Sequence, residues 1–543
     1  MQRDMKTRFI TVSILAGALC LWSCSDMLET EPNGSTITAS QKEKTLKNDP
    51  SKSSAGVNSL YAQFNEVFGV VSGDRHNDIG FPANIIFMDA NGEDLVSAGN
   101  GYNWFNSSVD FSSRDYQDEA AILVWSNLYK IIANCNNILA VADRETSNPD
   151  ALSANGQALA LRAFAYWELA QLYAFHIKGH ETDACVPLVL ESNKDELALM
   201  GIERSTVAKV YEQITEDIDE AIVALDKAAA EKVKRGDKRY INNTVAYGLR
   251  ARINLTLENW SAAASDAAKA IELAEAEGIR PYSIKELADP SSFILMDSSE
   301  PSYVWADIIA ETDDVVETGI CNFSSHMGSM NYGYASYAEG RAISKKLFAT
   351  IADNDVRKGW WLDESGLSAN ISAEANAYMA DNYSNLARLQ VKYGPYKGEL
   401  GTSTNACDVP LMRVEELYLI KAEALGRDNT SAGVSALNDF VSTYRQPGYS
   451  FAASSADAFV DEVFRQRRIE LWGEGLNWFD IMRLNKGIDR RGCGFEATAV
   501  FNIPAGAQIL LWRIPKAEIE SNPKISESDN NPSADKPEPV KDI

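Results

Sequence analysis

At 543 residues, 45% of them hydrophobic, the chain is long enough for several domains or for one large helical superstructure with a substantial core. Its 51 Lys and Arg against 77 Asp and Glu give a formal charge of −26. A field of that sign repels polyanions, which disfavours nucleic acid, anionic lipid surfaces and strongly sulfated sugars as partners and leaves neutral sugars or basic peptides open.

Residues 1–23 read as a targeting segment. Arg3, Lys6 and Arg8 precede an apolar run over 9–21 that is too short for a stable membrane-spanning helix. Leu21-Trp22-Ser23-Cys24 closes that run like a bacterial lipobox, with Cys24 as the expected lipidation site. The acidic residues just after it, Asp26, Glu29 and Glu31, resemble the surface-export signal of Bacteroidetes lipoproteins. No other run of 18 apolar residues occurs, so lipid is the expected anchor. Residues 24–54 are polar, with Pro32, Gly34 and Pro50, and read as a tether.

Leu60, Tyr61, Phe64, Val67, Phe68 and Val71 recur at helical spacing in a first helix from about residue 55. Ile122, Trp125, Leu128, Tyr129, Ile132 and Leu139 mark a second over about 118–142. An internal repeat follows. Ala160-Leu161-Arg162-Ala163, in a helix over 156–174, matches Gly248-Leu249-Arg250-Ala251 in a helix over 242–257, and 413–425 resembles a third copy. Each copy precedes another helical stretch, over 205–225, 260–274 and 431–444. Small residues at Ala163, Ala251, Ala262, Ala267 and Ala422 allow close helix pairing, the logic of a tetratricopeptide-like solenoid. The expected fold class is mainly α: a helix-pair scaffold over 55–280 and 409–523, interrupted over 281–408 by a large irregular insertion with short strands, and followed by a flexible tail over 524–543.

Loops carry the candidate ligand-binding residues. The stretch 89–105 (DANGEDLVSAGNGYNWF) has three glycines yet ends in aromatics, and the insertion clusters further rings. Aromatic rings stack on the apolar face of a pyranose while Asn and Asp pair with its hydroxyls, which selects Asp94, Tyr102, Asn103, Trp104 and Phe105 together with Tyr332, Tyr334 and Tyr337. Nothing selects a catalytic, metal or cofactor site. None of the four histidines lies in HExxH, Gly179 breaks the helix between His176 and His180, and neither a GxSxG elbow nor a Walker loop occurs. Beyond Cys20 and Cys24, the five scattered cysteines read mostly as small buried hydrophobes.

The densest interleaving of charge and aromatic surface lies over 464–485 (FRQRRIELWGEGLNWFDIMRLN): an amphipathic helix ending at Gly473 and Gly475, then a second helix with Asn477 as its cap. Arg467, Arg468, Glu470, Leu471, Glu474, Gly475, Asp480 and Arg483 resemble the C-terminal signature of the SusD/RagB family. The family usually has a basic residue where this chain has Asn477. These charges read as a structural clamp between two helices, because a buried paired network needs no substrate. Asp353-Asn354-Asp355-Val356-Arg357 and 510–523 resemble two further family elements, an Asp-x-Arg motif and a closing strand and turn. The resemblance implies a lipid-anchored, non-enzymatic outer-membrane protein at the cell surface that captures oligosaccharides for a TonB-dependent, SusC-like transporter. An oligopeptide binder, a surface glycoside hydrolase and a purely structural scaffold are the alternatives.

Overall fold

Side-chain caps set where the long helices begin. In the computed structural model, which describes residues 45, 53–97, 104–337, 340–532 and 536–543, Asp118, Asn148, Thr206, Asn242, Asn429 and Ser455 each accept a backbone N–H of the first helical turn. The expected leader, Cys24 and most of the tether lie outside the described residues. In chain order the elements that build the scaffold and frame the site include α1 (Ser53–Ala62), α2 (Pro82–Asn91), β1 (Leu95–Ser97), α3 (Glu119–Leu139), α4 (Pro149–Tyr173), β2 (Ala184–Pro187), β3 (Arg204–Thr206), α5 (Val207–Ala230), α6 (Asn243–Thr256) and α7 (Trp260–Ala276). They continue with β4 (Tyr303–Asp307), α8 (Phe323–Met327), α9 (Tyr334–Tyr337), β5 (Arg341–Ile343), β6 (Val409–Arg413), α10 (Val414–Asp428), α11 (Thr430–Tyr444), α12 (Ala456–Glu470) and α13 (Asn477–Arg483).

The repeat is a stack of helix pairs: α4 packs on α5, α6 on α7 and α10 on α11, with α5 against α6 and α7 against α10. Its repeated arginine has a physical role. Arg162 on α4 grips Asp217 of α5 with two bonds of 2.7 Å, and Arg250 on α6 grips Asp266 of α7 at 2.9 and 2.8 Å. The third copy lacks the arginine, and its Glu416 instead receives Arg252 from α6 at 2.6 and 2.5 Å, which ties the second pair to the third. Small residues do permit close approach, most tightly where Gly433 of α11 crosses Gly426 of α10: a Cβ on Gly433 would lie 2.3 Å from the other Cα. Ala262 is the exception, exposed on α7 while Ala263 and Ala267 face inward.

The insertion holds short helices and strands that pair with distant segments. β1 pairs with β5 antiparallel, Leu95 opposite Ile343, and β4 pairs with β6, Asp307 opposite Val409. Trp360, Trp361 and Tyr393 of the insertion are core.

Three boundaries differ from expectation. The first helix ends at Ala62, because the following loop folds around the buried Asp78, whose carboxylate accepts the N–H groups of Val70 and Val71 at 2.8 Å each. Residues 510–515 form no ladder; Trp512 N–H bonds to Leu172 O at 2.8 Å, and Lys516–Ser521 is a helix. Nor does 524–532 behave as a flexible tail. Ile525 is buried, and Asn531 donates to the carbonyls of Tyr173 (2.9 Å) and Trp512 (2.7 Å), satisfying backbone groups at the buried C-terminal end of α4 and on the segment beside it. Polar composition misleads there because asparagine amides stand in for backbone partners.

Glu168, buried on α4, has Arg252 as its facing cation, but that guanidinium is committed to Glu416 and to Leu411 O. Burial pushes the Glu168 carboxyl up to about 8. The folded state therefore binds a proton that the unfolded chain has released above its ordinary 4.5, and the wild type loses stability as pH rises from there toward 8. Glu168→Gln removes that titration, so its gain in melting temperature over wild type should grow between pH 5 and 8; a gain that is flat with pH contradicts this account.

Candidate functional site

Two constructions meet around the signature stretch, one of ions and one of rings. Glu470, fully buried at the end of α12, accepts from Arg445 at 2.7 and 2.8 Å, from Arg413 at 3.2 Å and from Arg357 at 3.3 Å. Glu474 accepts from Arg413 (2.8 Å) and from Lys392 (2.7 Å), itself wholly buried. Burial alone would raise both carboxyls, yet the surrounding cations hold them below their ordinary range. Arg357 also chelates Asp355, which gives the Asp-x-Arg element its structural part.

The expected clamp between two helices is thus only one strand of a wider network. Arg467 does join α12 to α13 through Asp480 at 2.6 Å, but within α13 Asp480 also holds Arg483 at 2.8 Å, which continues to Glu423 of α10 at 2.6 and 2.7 Å. Arg468 reaches back more than 370 positions to Asp94 at 2.7 Å and Glu93 at 2.7 Å. Asn477 does not cap α13. It is the first helical residue, and its amide donates to Asp94 at 2.9 Å, the same carboxylate that Arg468 holds. Asp94, selected from sequence as a ligand contact, is therefore a buried counter-ion of this network. Gly475, at φ +74°, donates its N–H to Asp89 at 3.0 Å, and a Cβ there would sit 3.0 Å from Ile85 Cα.

The rings assemble beside this network. Trp104, half-buried, lies over His76 with centroids 5.1 Å apart and planes at 25°, and meets Tyr334 edge-on at 6.4 Å. Tyr334 is buried, its hydroxyl on His76 Nδ1 and its ring flat on His326 at 4.8 Å and 8°. Phe105 is core, tilted on Phe87 at 4.7 Å, because it plugs the loop from beneath instead of facing solvent. Tyr332 is 44% exposed, on a loop pinned where Asn405 donates to its carbonyl at 3.0 Å and accepts from Asn331 at 2.8 Å. The Trp104 Nε1–H, the Asn77 Oδ1 and the His326 Nδ1 are buried without hydrogen-bond partners, one donor and two acceptors among the described residues of the cluster. Tyr102 and Asn103 lie outside the described residues, as does the side chain of Tyr337.

Of the sequence-selected residues, the structure brings Trp104, Tyr332 and Tyr334 to one region and assigns Asp94 and Phe105 to support. Sequence reading missed His76, which nothing local marks: its partner Tyr334 is 258 positions away. It also missed Lys392, Arg413 and Arg445, cations whose partners are set by packing alone. His180 pairs with Asp183 at 2.7 Å, and the five cysteines among the described residues are buried.

A family model described as SusD-like, starch-binding associating with outer membrane, matches residues 47–255, and the SusD family model matches 353–532. The chain belongs to the SusD/RagB family. SusD-like protein P2 of Formosa agariphila is 25% identical over 454 residues, 75% of this chain and 79% of that protein. A SusD-like carbohydrate binding protein from Bacteroides vulgatus ATCC 8482 shares the fold with a TM-score of 0.71 at 22% identity, over 89% of this chain and 98% of its own. A laminarin binding SusD-like protein does so at 0.58 and 17%, over 89% and 99%.

Glu474→Ala leaves Arg413 and Lys392 facing a void in the core and should cost about 3–5 kcal/mol of stability, read as a lowered denaturation midpoint. Because Glu474 contributes above its ordinary 4.5 and loses that contribution as pH falls, the deficit should shrink in acid. A midpoint equal to wild type at neutral pH would remove the residue from the network.

Proposed function

We propose that this chain is a non-enzymatic cell-surface lipoprotein that captures neutral oligosaccharides and passes them to a TonB-dependent, SusC-like outer-membrane transporter. The observation that carries the reading is the half-buried Trp104, its ring backed by His76 and braced by Tyr334, with the exposed Tyr332 on a pinned loop in the same region. A ring fixed from behind presents a face without an ordering cost, and sugar C–H groups stack on such faces. Membership of the family and the carbohydrate-binding and laminarin-binding relatives support a glycan as ligand. The acidic surface suits neutral over sulfated glycans.

No helix among the described residues is long and apolar enough to cross a membrane, and acyl chains on Cys24 supply the anchor in this reading. Cys24→Ala should move the protein from the membrane fraction to the soluble one. A variant that still sediments fully with membranes places the anchor elsewhere.

Titration calorimetry against laminarin, soluble starch and a peptide digest tests the ligand class. Wild type should bind a glycan saturably without releasing new reducing ends. Trp104→Ala and Tyr332→Ala should each weaken that binding about fivefold or more, ~1 kcal/mol, with an unchanged circular dichroism spectrum. Binding of the digest in place of the glycans would make the ligand a peptide.

A further inference from the structure

Three segments that are far apart in the chain meet at one side chain, His76. Its ring lies beneath the Trp104 indole, its Nδ1 faces the Tyr334 hydroxyl, and its backbone carbonyl accepts from His326 Nε2 at 2.8 Å. That last bond fixes His326 as the Nε2–H tautomer, and its Nδ1 is buried without a partner. Burial pushes the His326 imidazole down to about 3, so it stays neutral and serves as a rigid spacer, stacked on Tyr334. His76, by contrast, is only half-buried and can exchange protons with solvent.

We propose that His76 is the positioning residue of the binding face: it holds Trp104 and Tyr334 in ligand-ready geometry, and its charge state sets how strongly the face binds. This rests on the oligosaccharide-capture reading. With Nδ1 bare, the ring accepts the Tyr334 hydroxyl proton. Once protonated, Nδ1 becomes a donor, the Tyr334 hydroxyl must reverse, and a positive charge lies against the indole, drawing π density from the face that meets sugar C–H groups.

The charged and titratable groups around His76 do not mask such a change. Its own loop contributes Asp74, Arg75 and Asp78, of which Arg75 is tied to Glu119 of α3 at 2.7 Å and Asp78 to the N–H groups of Val70 and Val71. From α8 comes the neutral His326, with Arg341 of β5 donating to its carbonyl at 3.2 Å, and from α9 comes Tyr334. Burial lowers the His76 imidazole below its ordinary 6.5, and Asp74 opposes part of that. The neutral, binding form therefore prevails at neutral pH, and the proton arrives only on the acid side of the ordinary imidazole range.

The test uses the full chain, with laminarin and soluble starch as probes, titrated across pH 5–8 for wild type, His76→Phe, His76→Asn and Trp104→Ala. Wild-type affinity should fall about threefold or more toward the acid end, the size of one aromatic contact. His76→Phe keeps a ring under Trp104 but neither accepts the Tyr334 proton nor titrates, so its affinity should be lower at neutral pH and flat below it. His76→Asn keeps an acceptor near Nδ1 without a ring, and should also be flat. If Trp104→Ala weakens binding but His76→Phe retains wild-type affinity and the wild-type pH profile, the role of His76 is overturned and the capture site stands; if Trp104→Ala binds as wild type does, the site and this inference fall together. A ligand-free readout stands beside these: the Trp104 indole N–H resonance, assigned by its loss in Trp104→Ala, should shift with pH in wild type and stay still in His76→Phe. A resonance that ignores pH in wild type overturns the proposal.

Discussion

Glu470 is the charge on which the most structure converges. A carboxylate with no access to water is tolerable only when surrounded by cations, and the three arginines around it arrive from the insertion (Arg357), from the strand before α10 (Arg413) and from the end of α11 (Arg445). None of those arginines is itself exposed, and Arg357 and Arg413 divide their charge between Glu470 and a second carboxylate, Arg357 with Asp355 and Arg413 with Glu474. Glu474, Lys392 and Glu415 extend the same compensation outward, through contacts of 2.7 Å to Lys392 and 3.0 Å between Arg445 and Glu415. Such a network adds little net stability over an apolar core, but it makes alternative packings expensive, since any shift strands a buried charge.

That constraint fixes where the insertion sits relative to the helix stack. Helix pairs alone specify a solenoid of repeated contacts, and nothing in those contacts says how more than a hundred irregular residues between α7 and α10 should lie. The insertion is instead anchored through Arg357 and Lys392 to the signature, and through the β4–β6 and β1–β5 ladders to the strand preceding α10 and to the N-terminal loop. The carbonyl of Asp94, the residue before β1, accepts from Ser344 N–H at 2.9 Å and Trp472 Nε1 at 2.9 Å, so ion network and ladder hold the same turn. The ring cluster follows from this. His76 belongs to the N-terminal loop and Tyr334 to the insertion, and they can meet only because both segments are anchored to one frame.

Much of this was legible in order of residues. The tetratricopeptide-like pairing came from a four-residue repeat and from helical spacing, because both report on local geometry: a helix face is written in the positions i, i+3 and i+4 whatever it packs against. The signature was recognisable as a set of charges among buried-type residues for the same reason, and Trp104 stood out as an aromatic in a glycine-rich loop. Yet the partners of those charges were read too locally. Arg467 and Asp480, thirteen positions apart, were within reach of a sequence argument, whereas Arg468 and Asp94 are separated by 374 positions.

What the sequence by itself determined is the inventory: mainly helical pairs, an irregular aromatic-rich insertion, a cationic and carboxylate-rich stretch too apolar to be surface. Tertiary structure alone decided which of these residues are left near the surface and which hold the frame. It turned Asp94 from ligand contact into counter-ion, sent Phe105 to the core, and brought His76 beneath Trp104. The reason is that side-chain exposure and ion pairing depend on what lies across a contact, and here the other side of each contact comes from a segment with no fixed spacing in the chain.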